Sequence, residues 1–239
     1  MLYSAEELLK NTILATDGEI GKVNDFLFDD EEMQIRYLVA DTGDWLIDKK
    51  VLISPEALVK PLKEEKIFPV YLTKKQVENS PGIKKDRPVY LQYELDLHKF
   101  YGWKPYSAMA GITRTASPSA VGKSYPVEVN CENENPHLRS IKEVIGYKAQ
   151  AENGYAGKIH DFIIDRDSWT IKFIIIRTGK CFFGKNVIVS PSWINSIKWF
   201  GQSVYLGLLS RSIHNSPEYD PSIIIDSDLE IILKAYSSK

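Results

Sequence analysis

Residues 17–55 read DGEIGKVNDFLFDDEEMQIRYLVADTGDWLIDKKVLISP, and residues 153–191 read NGYAGKIHDFIIDRDSWTIKFIIIRTGKCFFGKNVIVSP. The second stretch lies over the first at a constant offset of 136 residues without a gap, and about a third of the aligned positions are identical. Gly18 matches Gly154, Gly21 matches Gly157, Asp25-Phe26 matches Asp161-Phe162, Asp29 matches Asp165, and Ser54-Pro55 matches Ser190-Pro191. Chance does not keep glycines, turn residues and strand residues in step over that distance, so one pattern is written twice.

Working outward, the similarity resumes after small length changes, with Val70-Tyr71-Leu72 against Val204-Tyr205-Leu206 and Asn79-Ser80-Pro81 against Asn215-Ser216-Pro217. A repeat of this length exceeds the roughly 20 to 50 residues of a solenoid unit, so each copy reads as a domain. The boundaries fall at residues 1–106 and 138–239. Between them residues 107–137, rich in Ser, Ala, Gly, Thr, Pro and Asn, read as a linker.

Runs of β-branched and aromatic residues bounded by turn residues predict strands at 12–15, 20–29, 34–41, 45–53 and 68–73. Asp17-Gly18 and Asn153-Gly154 are the two favoured pairs for a tight hairpin turn. Val23 and Phe26, like Ile159 and Phe162, stand three apart, which breaks strict alternation and predicts a bulge at Asp25 and Asp161. Short helical patterns follow at 73–77, 92–101 and 228–236. Short strands without long intervening helices favour a small closed barrel over a parallel α/β sheet.

The succession Asp17 to Phe26, then Ile35 to Gly43, then Val51 to Pro55 resembles the PRC-barrel domain. That domain is shared by the cytoplasmic part of the photosynthetic reaction-centre H subunit and the C-terminal half of the ribosome maturation factor RimM. The chain is similar throughout to bacterial tandem PRC-barrel proteins, in which Asn-Ser-Pro and Tyr-Gly-Trp segments also recur. The resemblance implies a mainly β fold of two tandem small PRC-type β-barrels, each with one or two short helices, that docks onto other macromolecules.

Composition narrows the function classes. A formal charge of −2 and a pI near 6.1 give no global attraction to phosphate backbones, so direct nucleic-acid binding is not expected. Cys131 and Cys181 lie outside any CxxC pair and fit reduced thiols in a cytoplasm. The N-terminus lacks a signal-peptide pattern, and no apolar run approaches the roughly 20 residues of a transmembrane segment.

Asp25 with Asp29, and Asp161 with Asp165, are the best candidates for a metal or acid pair. Two carboxylates near a strand fall short of what a hard cation needs, so these four, with Gly18, Gly21, Gly154 and Gly157, are read as structural turn and bulge residues. The four histidines, His98, His137, His160 and His214, show no zinc spacing. Gly122-Lys123-Ser124 lacks the earlier glycine of a phosphate-binding loop. Phe100, Tyr101, Trp103 and Tyr106, with Trp193 and Trp199 of the second copy, are candidate interface aromatics, with internal packing the alternative use.

These readings favour a non-catalytic cytoplasmic scaffold without cofactor or metal, binding a protein partner and forming a candidate homo-oligomer. The alternatives are an accessory subunit of a membrane-bound photosynthetic or electron-transfer complex, peripherally attached, then a metal-dependent hydrolase using Asp25 or Asp161, or a ribosome-associated factor.

Overall fold

The computed structural model describes residues 2–43, 49–61, 65–81, 83–84, 91–103, 137–179 and 184–221. The first repeat contains β1 (Leu2–Ser4), α1 (Ala5–Leu8), β2 (Thr12–Ala15), β3 (Gly18–Asp29), β4 (Gln34–Asp41), β5 (Lys49–Ile53), β6 (Ile67–Pro69), α2 (Lys74–Asn79), β7 (Ile83–Lys84) and α3 (Leu91–Tyr101). The second contains β8 (Leu138–Ser140), α4 (Ile141–Val144), β9 (Lys148–Ala151), β10 (Gly154–Asp165), β11 (Thr170–Thr178), β12 (Asn186–Val189), β13 (Ile194–Lys198), β14 (Ser203–Leu206) and α5 (Ser210–His214). The fold is mainly β, a curled sheet with a few short helices. The helical pattern at 228–236 and the linker at 107–136 lie outside the described residues.

Equivalent contacts keep the 136-residue offset further than the sequence comparison does. Leu58 bridges Val70 where Ile194 pairs with Leu206, and Tyr71 N donates to Ala57 O where Gly207 N donates to Trp193 O. The length change expected before Val204 is therefore absent. A slip of two residues keeps every strand side chain on its own face, so the shifted alignment looked equally good. The strand expected to run to Thr73 ends at Pro69, after which the chain continues with single bonds on alternate sides, Val70 N to Leu14 O, Tyr71 N to Ala57 O and Thr16 N to Leu72 O.

β3 pairs with β4 and β10 with β11 along most of their length, with register shifts at Val23/Asp25 and Ile159/Asp161. Gly21 and Gly157 sit at the register shifts of β3 with β2 and of β10 with β9. A Cβ at Gly21 would lie 2.1 Å from Asp41 O, and one at Gly157 would lie 2.4 Å from Arg177 O. Both positions have positive φ, +138° and +153°, so only glycine serves there.

The repeats exchange their first strands. β1 pairs with β10 (Leu2↔Asp165, Ser4↔Ile163), and β8 pairs with β3 (Leu138↔Asp29, Ser140↔Leu27). A pseudo-twofold relation passes between Gln34 and Thr170, the single β4–β11 pair. Beside it Ile35 N donates to Trp169 O and Ile171 N donates to Met33 O, each at 2.8 Å. The sheet is thus continuous through both repeats, in the order β13-β14-β9-β10-β11-β4-β3-β2-β6.

Side chains follow the backbone across this junction. Trp169, from the second repeat, stacks on Phe26 and Phe68 of the first with ring centroids 6.4 and 5.7 Å apart. Phe28 meets Phe162 at 5.6 Å. The sequence reading gave each copy a core of its own, yet the buried residues of the two inner faces form one cluster. Outside it, α3 lays Leu97 against Tyr37, Val39 and Leu52, which explains why Tyr37 to Ala40 reads as an unbroken apolar run.

A shared core melts as a unit. Trp169→Ala removes an aromatic from between two first-repeat rings and is expected to lower stability by about 3 to 5 kcal/mol. Calorimetry should show one transition moving as a whole; a variant that splits it, leaving the first-repeat transition in place, contradicts this.

Candidate functional site

Asp25 and Asp161, the strongest chemical candidates in the sequence, occupy the two bulges and are buried. Each carboxylate first accepts its own next backbone N–H, from Phe26 and Phe162, at 2.8 Å in both. Each then receives the opposite repeat. Ser140 Oγ and Lys142 N (3.0 Å) donate to Asp25, while Ser4 Oγ and Glu6 N (3.2 Å) donate to Asp161.

The serines act in both directions, as a hydroxyl can. While donating to the aspartate, Ser4 Oγ accepts from Glu7 N at 3.3 Å and Ser140 Oγ accepts from Glu143 N at 3.0 Å, capping α1 and α4. Ser4 and Ser140 were missed in the sequence, although Ser-x-x-Glu before an apolar residue is a capping signature and occurs at both places. Burial pushes both aspartate carboxyls above their ordinary value, opposed by the serine and backbone donors.

Asp29 and Asp165 do not converge on these carboxylates. Asp29 accepts from Glu31 N and Glu32 N at 3.0 Å, and Asp165 accepts from Asp167 N at 3.1 Å and from Ser168 Oγ at 2.9 Å, so both organise the following turn. Gly18 and Gly154 open β3 and β10 with φ of +131° and +128°. The residues before them reach a helix in each repeat: Asp17 accepts from Lys74 N and Asn153 from Ser210 N, both at 2.8 Å.

Ser4, Glu6, Glu7, His160, Asp161 and Tyr219 help line a depression of about 250 Å³. Burial, then the nearby Asp161, Glu7 and Glu6, push the Tyr219 phenol up to about 12. Asp161 is already engaged by internal donors, and among the described residues no group of three or more His, Cys, Asp or Glu could hold a metal ion. His98 is buried and its Nε2 lies 2.8 Å from Tyr37 Oη; His137 Nδ1 lies 3.1 Å from Asp30.

The aromatic candidates divide. Tyr101 stacks on Trp103 at 4.1 Å, Trp103 meets the His98 edge at 6.0 Å, and both rings pack against the cluster beneath α3. Trp193 is half-buried between two apolar clusters. Phe100 and Trp199 are exposed, and Tyr106 lies outside the described residues. Phe200, beside Trp199, is 96% exposed, and Tyr71 in the first repeat is 71% exposed.

Removing one serine leaves a buried carboxylate oxygen short of a donor and a helix uncapped, so Ser4→Ala is expected to cost about 1 to 3 kcal/mol. The aspartates also set a pH dependence. Their folded-state pKa lies above the ordinary 3.8, so their contribution is full below that value and is lost as pH rises through the folded value. The melting temperature of the natural protein should therefore gain on that of Asp161→Asn as pH falls from neutrality through the carboxylate range; a gap that narrows contradicts the assignment.

No curated protein matches the chain. The PRC-barrel domain family matches residues 2–68, which run from β1 through β5 to within β6. The matched unit begins with the strand that the first repeat hands to the second, and it contains Asp25, the acceptor for the strand and helix handed back. Residues 2–68, within the first repeat, carry a PRC-barrel domain.

Proposed function

We propose that the chain is a non-catalytic scaffold of the cytoplasm that binds a protein partner. One observation carries this reading: the polar groups kept in both repeats are engaged within the fold, whereas the repeats differ in what they expose. Asp25, Asp161, Ser4 and Ser140 bond one another's repeats. The groups best suited to acid–base or metal chemistry are thereby committed to holding the molecule together.

The first repeat offers a small apolar surface to a partner. Leu14 and Tyr71 are exposed on the outer face of adjoining segments, linked by Val70 N donating to Leu14 O. Their equivalents at the 136-residue offset are Gln150 and Gly207, so this pair belongs to the first repeat, whereas the second places exposed Tyr155 and Tyr205 on either side of Gln150. An exposed tyrosine combines large apolar area with a hydrogen-bonding hydroxyl and is enriched at the centres of protein interfaces, and Leu14 adds apolar area beside it. No helix among the described residues is long and apolar enough to cross a membrane. A cytoplasmic location rests on the two cysteines without a pairing motif.

The test is affinity capture from the host with the full chain and with the double variant Leu14→Asp/Tyr71→Asp, matched for melting temperature. A protein retained by the natural chain, binding it directly when purified and lost with the variant, is the expected result. Failure of any protein to distinguish the two overturns the reading.

A further inference from the structure

The second repeat carries a row of charge that the first lacks. Register places Lys198 of β13 opposite Ser203 of β14, Ser203 opposite Lys148 of β9, Lys148 opposite Lys158 of β10, and Lys158 opposite Arg177 of β11. Directly paired residues share a face of the sheet. The neighbours Ile197, Val204, Ala149, Ile159 and Ile176 are buried, so the four cations lie on the outer face, while Ser203 between Lys198 and Lys148 is covered and donates to Gly201 O. All four cations are exposed, and none joins an ion pair with an acidic residue among the described residues.

The same end of the sheet bears an unsupported aromatic tip. The chain leaves Lys198 through Trp199, Phe200 and Gly201, then returns as β14. Trp199 is 54% exposed and Phe200 96%. A phenyl ring standing free at a turn contributes nothing to the core, and a basic row directly behind it spans five strands, roughly 19 Å at the usual strand spacing.

Pseudo-symmetry supplies an internal comparison. At the 136-residue offset the four cations Lys198, Lys148, Lys158 and Arg177 correspond to Leu62, Thr12, Lys22 and Asp41, and the tip corresponds to Lys63-Glu64. The fold therefore does not demand the full set of cations or the aromatics, since the first repeat builds the same β2–β3–β4 ladder with Lys22 as the one cation kept.

We propose that the second repeat docks tip-first onto an anionic lipid surface. Phe200 and Trp199 enter the boundary between headgroups and acyl chains, and Lys198, Lys148, Lys158 and Arg177 meet the lipid phosphates. Aromatic residues favour that boundary, and clustered Lys and Arg are drawn to anionic leaflets over about a Debye length. A tip projecting beyond the cations fits this occupant better than single-stranded nucleic acid, which stacks on rings lying flat among the cations. The surface is separate from the Leu14–Tyr71 face, so it adds a lipid contact to the scaffold and can fail without it.

The experiment is flotation of the full chain with vesicles of phosphatidylcholine, alone or mixed with phosphatidylglycerol, alongside binding of a labelled oligothymidylate. The expected result is flotation with the mixed vesicles only, weakened by salt. Lys148→Glu/Lys158→Glu should reduce partitioning by about tenfold or more, and Phe200→Ser should reduce it several-fold with an unchanged melting temperature. Lys22→Glu, the first-repeat counterpart, should leave it unaltered. Absence of flotation, flotation indifferent to anionic lipid or to these variants, or oligothymidylate binding through the same lysines without flotation overturns the proposal.

Discussion

Two buried carboxylates receive the beginning of the opposite repeat, and the rest of the molecule is arranged around that exchange. Asp25 holds Ser140 and the first turn of α4; Asp161 holds Ser4 and the first turn of α1. Burying a carboxylate is unfavourable unless donors surround it, and here each accepts one backbone N–H of its own repeat and two donors from the other. Neither aspartate draws more than one of these donors from its own copy. The apolar contacts obey the same rule, because Trp169 completes a stack with Phe26 and Phe68 that the first repeat does not close alone.

Much of the architecture was legible because it is local. Hairpin pairs at Asp17-Gly18 and Asn153-Gly154, and the three-residue spacing from Val23 to Phe26 and from Ile159 to Phe162, encode turn and bulge geometry in adjacent residues. The exchange was not legible in that way. Ser4 pairs with Ile163 and Ser140 with Leu27, and a strand of three residues carries too little pattern to say which partner it chooses. The two-residue slip at Val204 escaped notice for a related reason, since strand periodicity repeats every two residues and cannot register a shift of two. The aspartates drew attention by residue type, but only their donors reveal what they hold. The exposure of Phe200 was not legible, because residue type alone says nothing of burial.

Duplication separates what the fold requires from what the surface does. Positions that bend or close the structure keep their chemistry in both copies: Gly21 with Gly157, Asp25 with Asp161, Ser4 with Ser140. Positions on the outer face have diverged in charge and polarity, Thr12 against Lys148, Asp41 against Arg177, Leu14 against Gln150. A body locked at its centre and decorated differently at its two ends suits simultaneous contact with two unlike surfaces, because the spacing between them is held by a common core rather than by a linker.

The exchange itself is tested most directly by cutting the chain between the repeats. A specific protease site placed within residues 107–136 of the full-length protein would be cleaved under native conditions and the product followed by sedimentation. The account predicts that both halves travel together at the mass of the intact 27.2 kDa chain and part only when denatured. Separation into two folded, independently sedimenting halves without denaturant would contradict it.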